Sequence, residues 1–386
     1  MNKNIFIIGS RGYKAKYGGW ETLVTNLVDN YKDKNAVFFV TQPTDSRSNN
    51  GKIKKVSNNL NIIYLYCKNF GGATMLFYSL NAFDFCLNYV RTNNLQNSKF
   101  VILGLKLYNK LKRKQKLLKQ LGIKTYVNPD GLEWQRDKWS APVKKFFLRS
   151  EKLMLNYSDN IVCDAKGIKK YISEKYPHLQ DRCTYIAYGA EKISFSKINE
   201  DKILKGYKLK SNSYCLMVGR CVPEDNYELV IKDFMQSKID KDLIIVTNYK
   251  NNPYYEKLKE LTNFETDKRI KFINGVYDKN KLATLRKNAY LYIHGHSVGG
   301  TNPSLIEAMS LTNVNILYDV CFNKDIGGKS CLYFKEQGSL TKLLDNTNSI
   351  DKKAKKMGEE AKKIVSKNFT WPIIVSKYKE LFNEAI

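Results

Sequence analysis

The pattern that most restricts the fold of this chain is a series of short, continuously apolar runs, each followed by a stretch with polar residues at helical spacing. IFIIG (5–9) leads into ETLVTNLVDNY (21–31), then AVFFVT (36–41) and NIIYLY (61–66). A mixed segment around 73–91 precedes FVILGL (100–105), a basic helix over 106–121, KTYVNPDG (124–131), a helix over about 141–157 and NIVCDA (160–165). A strand with one wet face alternates apolar and polar residues. These runs do not, so they predict strands buried on both faces, in parallel sheets covered by helices. The pattern restarts at SYCLMVGR (213–220). It continues through helical YELVIKDFMQS, strand DLIIVTN (242–248), helical YYEKLKELT and strands IKFIN (270–274), AYLYIHG (289–295), VNILYD (314–319) and CLYF (331–334). The 386 residues exceed one ordinary core, which predicts two α/β, Rossmann-like domains in series. Their joint is expected in the polar, Lys-rich stretch 189–210, and FTWPIIVSKYKELFNEAI (369–386) predicts a final apolar-faced helix.

The formal net charge of +28 predicts long-range attraction to anions, whether nucleic acid, an anionic membrane or a phosphate-bearing substrate. A Lys- and Asn-rich proteome accounts for part of that excess. The basic residues are scattered, with no RNP, KH or helix-turn-helix signature, which ranks a nucleic-acid-binding protein below an enzyme. Eight cysteines without a C-x-x-C pair, beside only three histidines, give no zinc framework and read as small core residues in a reducing cytosol. The DKD at 240–242 imitates a metal motif at a solvated turn, so no metal is expected. The chain enters its strand pattern at NIFIIG without a signal-peptide h-region, and no run of 18 apolar residues follows. The expected location is therefore cytoplasmic, peripheral to the inner face of the cell membrane.

Ligands of doubly wound sheets bind at the carboxyl ends of strands, which directs attention to four junctions. GSRGYKAKYGGWE (9–21) holds four glycines with Ser10 and Arg11 and is neither a dinucleotide nor a Walker A motif. Its backbone N–H groups and helix start favour an anion. In VNPDGLEWQRDKW (127–139), Pro129 and Gly131 force a turn that presents Asp130 and Glu133, with Trp134 and Trp139 suited to a sugar face. Loop capping by Asp130 and packing by the two tryptophans is an equal reading. VGRCVPEDNYE (218–228) offers Arg220 to a phosphate, while helix capping would explain either Glu224 or Asp225. HGHSVGGTNPSLIEAM (294–309) joins a buried strand to a helix. Thr301, Asn302 and Ser304 around Pro303 are capping residues, but capping leaves Gly299-Gly300 unexplained, and paired glycines there suit a phosphate cradle. Glu307 is one turn in, within reach of a ribose. His296 is a donor-contact candidate, with one of His294 and His296 facing the core.

The strings GSRG…AKYGGWET, VNPDGLEWQRDKW, SEKLM, YIAYGAE, VGRCVPEDNYE, HGHSVGGTNPSLIEAM and FTW, in order along nearly the whole chain, resemble the retaining GT-B glycosyltransferases of family 4. Within that family they resemble the β-1,4-rhamnosyltransferase branch of bacterial polysaccharide and capsule assembly. The resemblance implies two Rossmann-like domains facing a central cleft. Residues 1–190 with a crossover helix 369–386 would bind the acceptor, and 191–368 the nucleotide sugar. It implies a donor of dTDP-β-L-rhamnose, an acceptor of a lipid-diphosphate-linked sugar (GlcNAc or glucose), retention of configuration, and no metal or cofactor.

Carried over by residue, the resemblance makes Asp130, Arg220 and Glu224 the catalytic candidates. The donor would meet Gly18, Gly19, Arg220, His296, Gly299, Gly300, Thr301, Asn302, Ser304 and Glu307. The acceptor would meet Ser10, Arg11, Tyr17, Glu133, Trp134 and Arg136. Two departures stand out. The family pairs its arginine with a lysine five residues on, where this chain has Asp225, and the first of its two glutamates falls on Gly299. A 6-deoxy sugar is compatible with both losses. The competing donors are a UDP-hexose and a UDP-N-acetylhexosamine. Residues 101–150 hold 13 Lys or Arg against three Asp or Glu, so helix 106–121 and the aromatic segment 70–90 are expected to meet anionic lipid, where each basic residue adds about 1 kcal/mol.

Overall fold

The computed structural model describes residues 2–15, 18–136 and 139–383. The chain divides into two compact units, Met1–Tyr188 with Ile374–Ile386, and Gly189–Ile373. The junctions fall where two chain segments are tied together inside the second unit. Ala190 N–H donates to Phe369 O at 2.6 Å, and Ala190 bridges Thr370.

The first unit is built on an eight-stranded sheet: β1 Lys3–Ile8, β2 Ala36–Thr44, β3 Ile53–Ser57, β4 Leu60–Tyr66, β5 Ser98–Leu103, β6 Lys124–Asn128, β7 Asn160–Cys163 and β8 Cys183–Tyr185. The spatial order is β3-β4-β2-β1-β5-β6-β7-β8. All pairings are parallel except β3 with β4. The central strands are buried along nearly their full length, as continuous apolar runs require. Phe6 stacks on Phe39 at 4.5 Å and meets Phe100 at 5.3 Å, joining three adjacent strands through their side chains. The short β3, missed in the sequence, is an edge strand with exposed Lys54 and Lys55 and a register shift after Lys55.

The basic helix spans Lys110–Gln120, not 106–121. Leu111 and Leu118 are buried while Lys112, Arg113 and Lys116 stay exposed, an ordinary amphipathic division. Residues 104–109 instead form the loop after β5. The mixed segment is a helix, Thr74–Thr92, with buried Tyr78, Phe83 and Leu87. The final helix, Trp371–Asn383, begins in the second unit and joins the first, where Phe382 packs edge-on against Tyr126 at 5.1 Å.

The second unit carries β9 Tyr214–Val218, β10 Asp242–Val246, β11 Ile270–Ile273, β12 Leu291–His294, β13 Asn315–Tyr318 and β14 Leu332–Phe334. Its order is β11-β10-β9-β12-β13-β14, parallel throughout. Counted within the unit this is 3-2-1-4-5-6, the dinucleotide-fold order, and its direction reverses between β9 and β12. Helix Tyr227–Gln236 shows how the layers are held. Tyr227, Val230, Ile231 and Phe234 recur at i, i+3, i+4 and i+7 and are buried against the sheet. A long helix, Thr347–Asn368, also escaped the sequence reading, because its apolar positions are sparse among lysines.

Asp233 is fully buried on helix Tyr227–Gln236, and its carboxylate caps a helix distant in sequence, Ser339–Asp345. It accepts from Gly338 N (2.8 Å) and Leu340 N (2.9 Å), where the N-cap residue, Gly338, has no side chain to do so. Asp233→Ala leaves those donors without an acceptor and is expected to destabilise this unit by roughly 2–4 kcal/mol. Denaturant unfolding followed by far-UV circular dichroism measures this, and a loss below about 1 kcal/mol would show the cap to be dispensable.

Candidate functional site

At the reversal point of the second sheet, the loops after β9 and β12 are laced together. Asn226 Nδ2–H donates to Gly295 O at 2.7 Å, and Glu224 O accepts from both Ser297 N (2.9 Å) and Ser297 Oγ (2.8 Å). Asp225 sits between them. Its Oδ2 accepts from Arg220 N at 2.8 Å and its Oδ1 meets His296 Nδ1 at 2.6 Å. Two glycines leave it room, since a Cβ on Gly219 would lie 2.6 Å from Asp225 Oδ2 and one on Gly295 2.0 Å from Asp225 O. Burial alone would raise the Asp225 carboxyl. The hydrogen bond to His296 and the nearby Arg220 outweigh it and hold the group below the usual carboxylate range.

Neither carboxylate of this loop caps the following helix, contrary to the capping alternative. Asn226 occupies that N-cap in the left-handed region, with its side chain turned to Gly295 O in the loop after β12. Glu224 is buried at the seam, which it joins through its backbone carbonyl. Arg220 is exposed, on the residue whose amide Asp225 fixes. His294 faces the core and is 3% exposed, and burial pushes its imidazole down to about 3.

The loop after β12 turns at Gly299, whose φ of 137° disfavours a side chain. Gly299, Gly300 and Thr301 are buried. Helix Pro303–Leu311 follows, with Pro303 in its first turn and Asn302 Oδ1 accepting from Ser304 N at 2.9 Å. Ser304 is engaged within the chain. Its Oγ accepts from Arg286 Nη2 (3.0 Å) and lies 2.9 Å from Tyr292 Oη. Glu307 pairs with the buried Arg286 at 2.6 Å and keeps 35% of its side chain exposed, so it is oriented and still accessible. Arg286 was not anticipated from the sequence.

In the first unit the sheet reverses between β1 and β5, and the loops there hold a buried charge cluster. Ser10 is buried, its Oγ accepting from Gly12 N at 3.2 Å. The backbone N–H of Arg11, expected to meet a ligand anion, donates to Glu21 Oε1 at 2.8 Å. Glu21 reaches back from helix Gly19–Asn30, whose N-cap residue, Gly18, makes no side-chain cap. A carboxylate of the chain thus already occupies part of the glycine loop. Tyr17 lies outside the described residues.

Lys106, in the loop after β5, places Nζ 4.1 Å from the Trp20 ring centroid and 3.4 Å from Gly9 O. Burial pushes its ammonium down to about 8, against the pull of Asp130, Glu133 and Glu21. Asp130 adopts a left-handed φ of 65° and its Oδ2 lies 3.7 Å from Arg136 Nη2. Arg136 is buried and pairs with Glu133 at 2.7 Å, while Glu133 Oε1 accepts from Trp139 Nε1 at 2.8 Å. Lys175 lies 5.5 Å above the Trp134 ring. Asp164, at the end of β7, has its carboxyl pushed up to about 8 by burial and by the Asp130 charge. Lys106, Glu21 and Asp164 were absent from the sequence reading. The signal available was position, because Lys106 and Asp164 stand one to three residues beyond an apolar strand. Among the described residues, no group of three or more His, Cys, Asp or Glu side chains is placed to hold a metal ion.

Residues 199–364 match the family of group 1 glycosyl transferases, and residues 2–191 match a domain family of unknown function, DUF1972. An uncharacterized glycosyltransferase of Methanocaldococcus jannaschii is 26% identical, with all of both chains covered. Among solved structures, sucrose-phosphate synthase from Thermosynechococcus elongatus superposes with a TM-score of 0.80 at 14% identity, over 99% of each chain. Anabaena HepE in complex with UDP and glucose gives 0.71 at 13% identity, over 100% of each. The chain has the GT-B fold, and residues 199–364 are similar to the group 1 glycosyl transferases.

His294 ties this site to pH. Its pKa is depressed on folding, so below the ordinary value of about 6.5 the unfolded chain takes up a proton that the folded chain refuses until about 3. Stability is therefore expected to fall by about 1.4 kcal/mol per pH unit as pH drops below 6.5. Amide exchange of strand Leu291–His294 at pH 6.5 and 5.0 reads this, with His294→Gln removing the dependence. An equal slope in that variant would assign it to other groups.

Proposed function

We propose that the chain transfers L-rhamnose from dTDP-β-L-rhamnose to a lipid-diphosphate-linked sugar (GlcNAc or glucose), with retention, in bacterial cell-surface polysaccharide synthesis. The observation that carries a nucleotide-sugar reading is the meeting, at the reversal point of a 3-2-1-4-5-6 sheet, of the loop bearing Arg220 with the Gly299–Asn302 turn at a helix start. Backbone amides there and a guanidinium suit a diphosphate. As the sugar–phosphate bond breaks, Arg220 stabilises the charge gathering on the leaving group, the largest contribution an enzyme usually makes. The departing phosphate can accept the acceptor's proton on the same face, so the chain need not supply a nucleophile. Glu307, oriented by Arg286, is assigned to the ribose hydroxyls.

For the sugar, support comes from the absence of a carboxylate at Gly299, whose φ disfavours any side chain. A 6-deoxy sugar has one hydroxyl fewer to satisfy. A UDP-hexose donor is the second reading, favoured by the complex of HepE with UDP and glucose.

The acceptor is assigned to the first unit, where Asp130 is held beside Arg136. Its lipid end is given to the face carrying half-exposed Phe70 and Phe77, whose rings lie 5.1 Å apart. Lys110 at the start of the basic helix pairs with Asp84 of helix Thr74–Thr92 at 2.7 Å, which ties the two elements together. Anionic headgroups would meet Lys112, Arg113 and Lys116 of that basic helix. None of the described helices is long and apolar enough to cross a membrane.

Arg220→Ala is expected to lower kcat at saturating donor by about 100-fold or more without shifting the melting temperature. Turnover near that of the wild type would remove Arg220 from the leaving-group role. A donor panel of dTDP-rhamnose, UDP-glucose and UDP-GlcNAc decides the sugar, and transfer from a UDP-sugar alone would replace rhamnose. Reversing Lys112, Arg113 and Lys116 to Glu is expected to abolish sedimentation with phosphatidylglycerol vesicles while activity on a short-chain soluble acceptor survives. Unchanged sedimentation would place membrane contact elsewhere.

A further inference from the structure

The loop after β9 presents a problem in charge. Arg220 is its one basic residue, and Asp225, buried five positions on, places a negative charge where a dianionic diphosphate is to bind. Left alone, that carboxylate would oppose the ligand. The geometry spends it on an imidazole instead. Asp225 Oδ1 is 2.6 Å from His296 Nδ1, and both residues are buried. With Nδ1 committed to Asp225, the remaining chemistry of the ring is at Nε2. That atom is turned toward the Gly299-Gly300 turn, lying 3.1 Å from where a Cβ on Gly299 would stand. The ring is held at Nδ1 by Asp225 and meets Phe322 edge-on at 6.3 Å, while Asn323 Nδ2–H fixes the backbone by donating to His296 O at 3.0 Å.

We propose that His296, backed by Asp225, is the second cation of the donor site, and that binding of the nucleotide sugar is coupled to uptake of one proton at His296 Nε2. This rests on the nucleotide-sugar reading and adds a specific proton to it. A neutral ring bonded to Asp225 through Nδ1–H offers the diphosphate only a lone pair at Nε2. A proton from solvent converts that lone pair to an N–H donor and gives the ring a positive charge, which Asp225 on one side and the diphosphate on the other stabilise. No other bond changes, and the proton returns to solvent when the nucleotide leaves.

The charged and titratable groups around the pair act in known directions. Arg220 in the β9 loop and Arg286 beneath β12 are permanently charged and disfavour a further cation. His294, 6.0 Å from His296 between ring centroids, is held neutral by burial. Cys221 and Tyr227, whose acidities register the Asp225 charge, are both pushed up by burial and stay neutral. Glu224 joins this seam through its backbone carbonyl and Glu307 is paired with Arg286, so Asp225 is the carboxylate bonded to the ring, and the ligand supplies a second anion.

The proposal is tested by titration calorimetry with UDP-glucose and dTDP-rhamnose, whose esterified diphosphates have no group titrating near neutrality. Measurements at several pH values between 5.5 and 8.5, each in two phosphate-free buffers of different ionisation enthalpy, separate proton uptake from intrinsic heat. The expected result is uptake approaching one proton at pH 8, falling toward zero at pH 5.5, with affinity dropping about tenfold per pH unit on the alkaline side. His296→Gln is expected to bind with no uptake and with pH-independent affinity, about tenfold weaker than wild type at pH 6. Asp225→Asn keeps an acceptor for Arg220 N and is expected to lose the uptake too, while His294→Gln retains it. Binding by the wild type without uptake across this range overturns the proposal and leaves the donor reading standing, as does uptake that survives His296→Gln. Binding of neither nucleotide sugar would bring down the donor reading, and this inference with it.

Discussion

A buried carboxylate organises the second unit. Taking Asp225 out of water costs several kcal/mol unless partners repay it, and the two loops at the sheet reversal supply those partners. Gly219 and Gly295 open the space, Arg220 lends its amide, and His296 lends its ring. Removing the charge would cut one of the ties between two chain segments that Asn226 and Ser297 also hold together. The same interaction fixes the residue that carries the guanidinium and the turn that carries the amides, so structure and chemistry depend on one side chain.

The first unit solves a similar problem with more members. Glu21, Lys106, Asp130, Glu133, Arg136 and Asp164 converge at the ends of β1, β5, β6 and β7, where four carboxyls meet one lysine and one arginine in a small volume. The outcome is a lysine and an aspartic acid displaced toward neutrality from opposite directions, the kind of separation that marks places where protons are handled. The glycine loop beside it is less open to anions than its composition suggested, since Glu21 already meets Arg11 N.

The strands were legible because a strand buried on both faces writes itself as an unbroken apolar run, and IFII or FVIL has no other economical reading. The loops bearing Arg220, Asp130 and Gly299 were legible because they follow such runs. What escaped was whatever depends on partners distant in sequence. Lys106 looked like the start of a basic helix, because helix periodicity does not reveal that the chain leaves β5 through a six-residue loop first. Asp225 looked like a capping residue or a lost lysine, since nothing in VGRCVPEDN announces a histidine 71 positions on. Ser304 is spent on Arg286 and Tyr292, again partners on other elements. Helix Thr347–Asn368 was hidden by its own lysines.

Strand β3 is five residues long, runs against its neighbour, breaks register after Lys55 and turns Lys54 and Lys55 to water. A parallel sheet of this size ends in a row of unpaired amides and carbonyls that another chain can extend. By closing one side with a short, kinked, doubly charged strand, the protein makes that edge a poor template. Crowding of many copies, as on a shared surface, then leaves this flank resistant to strand addition, and self-association there must proceed through side chains.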